Sequence, residues 1–136
     1  MQFSLFPLDA RLLRAVQQAG YLEATPIQEQ AIPMALAGHD IIGTAQTGTG
    51  KTAAFILPIL HDLLTRPSSS RCVRVLIITP TRELAEQIHT VIDQMSYFTD
   101  LRSATIYGGV DMTPQENAIK RGAEVLVACP GRLLDH

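Results

Sequence analysis

Apolar residues recur at helical spacing from the start of the chain. Leu8, Leu12, Leu13 and Val16 fall on one face of the stretch Asp9 to Ala19, and Gly20 follows where a helix would end. Thr25-Pro26 then offers a capping hydroxyl and a proline whose missing N–H costs nothing at a first helical position. A second helix is expected through Ile27, Ala31 and Leu36, with a break or a second short turn at Pro33. From Asp40 the texture changes. Ile41-Ile42-Gly43-Thr44 reads as a short strand, Gln46 to Gly50 as a glycine-rich loop, and Lys51 to Leu64 as a helix kinked at Pro58.

The polar run Arg66-Pro67-Ser68-Ser69-Ser70-Arg71 reads as a surface connection between elements of one domain. Beyond it, strands and helices alternate: strand Val73 to Ile78, helix Glu83 to Met95, strand Ser103 to Tyr107, helix Pro114 to Lys120, strand Glu124 to Ala128, and a helix starting near Gly131. Strands that are nearly all apolar must be buried on both faces. The expected class is therefore α/β, a parallel sheet with helices on both faces.

Composition narrows the function classes. The 136 residues are 46% apolar and 18% charged, the balance of one domain able to bury a core. No apolar run approaches the roughly 20 residues that cross a bilayer, and the start has no pattern of a secretion signal. No membrane partner is expected, and a cytoplasmic location is. The net charge of −2 gives no global attraction to nucleic acid, so any such binding has to be local. Cys72 and Cys129 form no paired motif and read as small buried residues, and the four histidines lack metal-ligand spacing.

The most specific chemistry lies in Ala45-Gln46-Thr47-Gly48-Thr49-Gly50-Lys51-Thr52. From its second position this fits a phosphate-binding loop between a strand and a helix. Glycines let successive N–H groups turn inward around an anion, and the helix N-terminus adds partial positive charge. In this reading Gln46, Thr47, Gly48, Thr49 and Gly50 cradle phosphates. Lys51 reaches the terminal phosphates, and the Thr52 hydroxyl helps hold Mg2+, the catalytic contribution of this segment.

The generic motif begins with glycine where this chain has Ala45. Ala-x-Thr-Gly-x-Gly-Lys-Thr at 45–52 resembles motif I of DEAD-box ATP-dependent RNA helicases, and other segments are similar to the same family, in its bacterial type. Gly20 to Gln28 resembles the Q motif (20–28), with Phe3 lying 17 residues before Gly20. By resemblance Gln28 reads the adenine edge, a task suited to a carboxamide that donates and accepts at once, and Phe3 stacks on the base. Pro80-Thr81-Arg82-Glu83-Leu84-Ala85 resembles motif Ia (80–85), Gly108-Gly109 the GG element, and Pro130-Gly131-Arg132 motif Ib (130–132). These imply an RNA track of Pro80, Thr81, Arg82, Gly108, Gly109, Gly131 and Arg132. Cys129 stands where motif Ib has threonine, and a thiol is a weak donor, so it is left out of the track.

The resemblance thus implies a RecA-like P-loop fold, with residues 1–136 as the amino-terminal part of the first helicase domain. The expected ligands are ATP or ADP with Mg2+, and the expected partner is single-stranded or locally unwound RNA. The parent would be an ATP-dependent RNA helicase that unwinds or remodels duplexes. The family's Asp-Glu-Ala-Asp segment and second domain are not in these 136 residues. The truncated piece is expected to lack ATPase activity by itself, and its unpaired strand edges imply either marginal stability or self-association with a second copy. Other readings are a non-enzymatic nucleotide- or RNA-binding module, an inactive partner protein, or another P-loop ATPase such as a DNA translocase.

Overall fold

Asp9 starts the first long helix by turning its carboxylate onto the backbone N–H of Arg11, at 2.9 Å. In this computed structural model, which describes residues 1–43, 50–66, 72–107 and 112–130, helix α1 spans Ala10–Gln18 and buries Leu12, Ala15 and Val16. A short 3-10 turn, Phe3–Leu5, precedes it. Helix α2 spans Pro26–Leu36 and α3 spans Lys51–Thr65. These elements, with residues 94–99, form one compact unit; residues 68–93 and 100–136 form a second.

Within the first unit α2 packs along α3, which buries Ile56, Leu57 and Leu60 completely. The His61 ring accepts the Asp9 backbone N–H at 2.9 Å and so ties the start of α1 to α3. Neither internal proline ends its helix. The α2 helix runs through Pro33, against the expected break, and α3 continues through Pro58. An interior proline costs about 3 kcal/mol, and burial of Ile32, Ile56, Leu57 and Leu60 around these positions outweighs it.

The second unit holds three parallel strands, β1 (Val75–Ile78), β2 (Ser103–Ile106) and β3 (Val125–Ala128), in the order β1-β3-β2. Central β3 is buried at all four positions, as its unbroken Val-Leu-Val-Ala run requires. Helix α4 spans Arg82–Met95 and α5 spans Met112–Lys120. Ala118 and Ile119 of α5 pack on the face made by Ala104, Ile106, Leu126 and Ala128. On the opposite face His89 and Glu86 of α4 hydrogen-bond Ser103 and Tyr107. Helices therefore lie on both faces of this sheet, as the sequence implies.

Two expectations need correction. Residues 41–43 form no strand, and Ile42 is 99% exposed. An apolar run becomes a strand only when a neighbour takes its backbone hydrogen bonds, and none does so among the described residues. Cys72 is exposed, because it lies in the irregular approach to β1 outside the packed layers, whereas Cys129 is buried as expected. The serine-rich connection at 67–71, Thr44 and the helix expected near Gly131 lie outside the described residues.

Arg11 holds the Asp9 carboxyl below its ordinary value of 3.8 through a side-chain hydrogen bond, aided by a backbone one and opposed by partial desolvation. A depressed folded value stabilises above the unfolded one and is lost as pH falls through the folded one. Urea titrations of Asp9→Asn should therefore show a flatter loss of stability below about pH 4 than the parent chain. Near neutrality the cost should be about 0.5 kcal/mol, within the range of a solvent-screened ion pair.

Candidate functional site

The chain leaving α1 reverses at Gly20, whose φ of +86° favours glycine. Gly20 donates to the Gln17 carbonyl and Tyr21 to that of Val16, both at 3.0 Å, closing the helix end. The following segment then lies beside the N-terminus. Gln2 and Glu23 form an antiparallel bridge, and the Phe3 N–H donates to the Leu22 carbonyl at 3.2 Å. In this way Phe3 is brought to the 20–28 segment from a distant place in the sequence. It is only 3% exposed, with Phe6 edge-on at 5.4 Å and Tyr21 at 5.8 Å. The structure thus gives Phe3 an anchoring role in the core, with one border on the cleft described next.

That cleft has a volume of about 540 Å3 and is lined by Phe3, Tyr21, Thr25, Gln28 and Gly50 among others. Tyr21, half-buried, is a lining residue that sequence reasoning did not single out; an aromatic directly after the helix-ending glycine was the available signal. Gln28 is 2% exposed, and both ends of its carboxamide are engaged. Its Oε1 accepts the Thr25 N–H at 2.9 Å, completing one half of a capping box for α2, and its Nε2 donates to the Gly50 carbonyl at 3.1 Å. The Thr25 hydroxyl oxygen is buried without a hydrogen-bond partner.

Gly50 is the N-cap of α3, at φ +79°. A Cβ there would come within 2.2 Å of the Gln28 Nε2. Lys51, exposed, and Thr52, half-buried, are the first two residues of α3. Backbone N–H groups at a helix start lack intrahelical acceptors and favour an anion. The structure therefore brings together Phe3, Gln28 and Gly50 along the cleft, with Lys51 and Thr52 directly after Gly50. Gln46, Thr47, Gly48 and Thr49 lie outside the described residues.

In the second unit the parallel register aligns Ile78, Ala128 and Ile106 at the carboxyl ends of the strands. The next residue of each strand continues the row. Thr79 donates its N–H to Ala128 and Cys129 its N–H to Ile106, both at 2.9 Å. The Thr79 hydroxyl lies 3.7 Å from the Cys129 sulfur, so the thiol is occupied in the interior. Pro80, Thr81 and Arg82 follow, all exposed. Thr81 accepts the Leu84 N–H at 3.2 Å, capping α4. Ligands of open α/β sheets collect beyond such strand ends. Gly108, Gly109, Gly131 and Arg132 lie outside the described residues, although Tyr107 and Pro130 immediately before them are described.

Comparison with known proteins gives a consistent result. The sequence model of the DEAD/DEAH box helicase family matches residues 25–136. DEAD-box ATP-dependent RNA helicase 28 of Oryza sativa subsp. japonica is 51% identical over 95% of this chain and 16% of its own length. The ATP-dependent RNA helicase CshA of Listeria monocytogenes is 47% identical over 99% of this chain and 25% of its own. The crystal structure of the RNA helicase Prp28 from Chaetomium thermophilum, bound to ADP, superposes with a TM-score of 0.90 at 42% identity, covering 98% of this chain and 33% of that one. The chain thus spans between 16% and 33% of the length of these three proteins.

Gly50 supplies a direct test of the cleft. In Gly50→Ala both the left-handed backbone and the Gln28 contact oppose the methyl group, so chemical denaturation should show a loss of about 1–2 kcal/mol. A Gly50→Ala chain as stable as the parent would show that Gln28 is not held against Gly50 in solution.

Proposed function

Because the chain belongs to the DEAD/DEAH box helicase family, we propose that it forms the nucleotide-binding and part of the RNA-binding surface of an ATP-dependent RNA helicase. The observation that carries this reading is the Gln28 carboxamide, buried at a cleft wall and bonded to the glycine from which the Lys51-Thr52 helix starts. A purine at that cleft would lie within reach of the same residue that fixes the phosphate-binding end.

In this reading Gln28 exchanges its internal partners for the adenine edge, while Tyr21 and the border of Phe3 meet the ring. Gln46, Thr47, Gly48, Thr49 and Gly50 belong to the phosphate cradle. Lys51 neutralises the terminal phosphates, and the α3 N-terminus adds its dipole. The Thr52 hydroxyl, a hard oxygen donor at the second position of α3, would help hold a Mg2+ ion, which would offset phosphate charge. Pro80, Thr81 and Arg82, with Gly108, Gly109, Gly131 and Arg132, form the track for an RNA backbone, and Arg82 supplies its charge. The motif boundaries 20–28, 45–52, 80–85, 108–109 and 130–132 and a cytoplasmic place of action belong to the same proposal. The parent helicase would couple ATP binding and hydrolysis to local separation of RNA strands.

One specific observation favours a rival role for Gln28. Its two polar functions are already satisfied inside the chain, which suits a structural brace. Titration with a fluorescent ADP analogue, competed by ATP, ADP and GTP, separates the two. Adenine-selective binding that loses selectivity in Gln28→Ala and falls at least tenfold in Lys51→Ala supports the nucleotide pocket. Retained selectivity in a destabilised Gln28→Ala assigns Gln28 to bracing alone, and a folded chain that binds no nucleotide overturns the reading.

Self-association is part of the proposal as well. Ile42, Leu76 and Ile78 are 99%, 47% and 60% exposed, and β1 is an edge strand among those described. Sedimentation equilibrium should show a concentration-dependent dimer that Ile78→Lys weakens. A monomer at all concentrations would remove this part.

A further inference from the structure

Tyr107 follows the last residue of β2 and has no role in the reading above. Its hydroxyl donates to Glu86 Oε1 at 2.7 Å, and the Arg82 guanidinium carbon lies 5.6 Å from the centre of its ring. Arg82 and Glu86 are both on α4, four residues apart, where opposite charges ordinarily meet. No ion pair between them forms among the described residues; the carboxylate turns to the phenol instead. The Tyr107 carbonyl is held from the other side by Gln115 Nε2 at 3.1 Å, so the residue is fixed at both its backbone and its hydroxyl.

We propose that Tyr107 is a positioning residue for Arg82: it engages the Glu86 carboxylate and lies beneath the guanidinium, leaving that cation open to a backbone phosphate of single-stranded RNA. The inference rests on the RNA-track reading of Arg82. A guanidinium over an aromatic face keeps its edge N–H groups available, whereas one paired with a carboxylate presents a neutralised surface to phosphate. The hydrogen bond to Glu86 raises the phenol above its ordinary value of 10.0, with partial burial adding to it, so the hydroxyl remains a donor throughout the neutral range.

The test is fluorescence anisotropy of a labelled single-stranded oligouridylate with the full chain over a series of salt concentrations, beside thermal melts of each variant. Arg82→Ala should weaken binding and make the slope of log K against log salt smaller by roughly 0.7, one phosphate contact on a single strand. Tyr107→Phe keeps the ring and frees Glu86, so binding should weaken about 1.5-fold to twofold, as one i,i+4 ion pair competes, and the slope should move toward that of Arg82→Ala. Adding Glu86→Gln to Tyr107→Phe should restore both, a rescue that a merely structural hydroxyl would not give. Wild-type binding by Tyr107→Phe, or a double variant as weak as the single one, overturns the inference while leaving Arg82 in the track. If Tyr107→Phe melts far below the parent, Glu86→Gln alone decides: binding at least as tight as the parent is expected, and weaker binding overturns the inference. A parent chain that does not bind, or an Arg82→Ala chain that binds like the parent, fails the RNA-track reading itself and the inference with it.

Discussion

The carboxamide of Gln28 joins the two helix starts on which the first unit's cleft depends. One end accepts the Thr25 N–H that opens α2, and the other donates to the Gly50 carbonyl that opens α3. A buried amide left unpaired costs about 1–3 kcal/mol, so these bonds hold the two starts together. They also require glycine at position 50, where a side chain would occupy the space of Gln28 Nε2. A residue that can both donate and accept is suited to such a place. The same donor and acceptor match a purine edge, at the cost of releasing the Thr25 N–H and the Gly50 carbonyl.

A different constraint organises the second unit. Parallel pairing of β1, β3 and β2 in one register ends all three strands at the same level, so Thr79, Cys129 and Tyr107 form a row although they come from separate parts of the chain. The Thr79 hydroxyl illustrates how that row is completed: it donates to the Thr81 carbonyl at 2.9 Å while facing the Cys129 thiol. With its polar groups satisfied inside, the row leaves Pro80, Thr81 and Arg82 exposed. Charge at this edge is then governed by who holds Glu86, and the Tyr107 phenol does.

Local signals translated well into local structure. Helices α1, α4 and α5 and the three strands fall within a few residues of where periodicity and punctuation place them, because capping, glycine reversal and apolar runs act over a handful of neighbours. The proline at 33 misled for the opposite reason: its local cost is real, but the burial that offsets it is set by the packing of α2 along α3. Ile41 to Gly43 misled likewise, since strand formation depends on a pairing partner that the run itself does not specify.

By itself the sequence determined the α/β class, the phosphate-loop pattern and the family, since each is written in residue types at fixed short spacings. Only the tertiary structure decided that Gln28 also bonds Gly50, that Phe3 is buried, and that the Tyr107 hydroxyl engages Glu86. The Gln28–Gly50 and Tyr107–Glu86 bonds join residues 22 and 21 positions apart. No local pattern encodes such distances; packing and the sheet register set them.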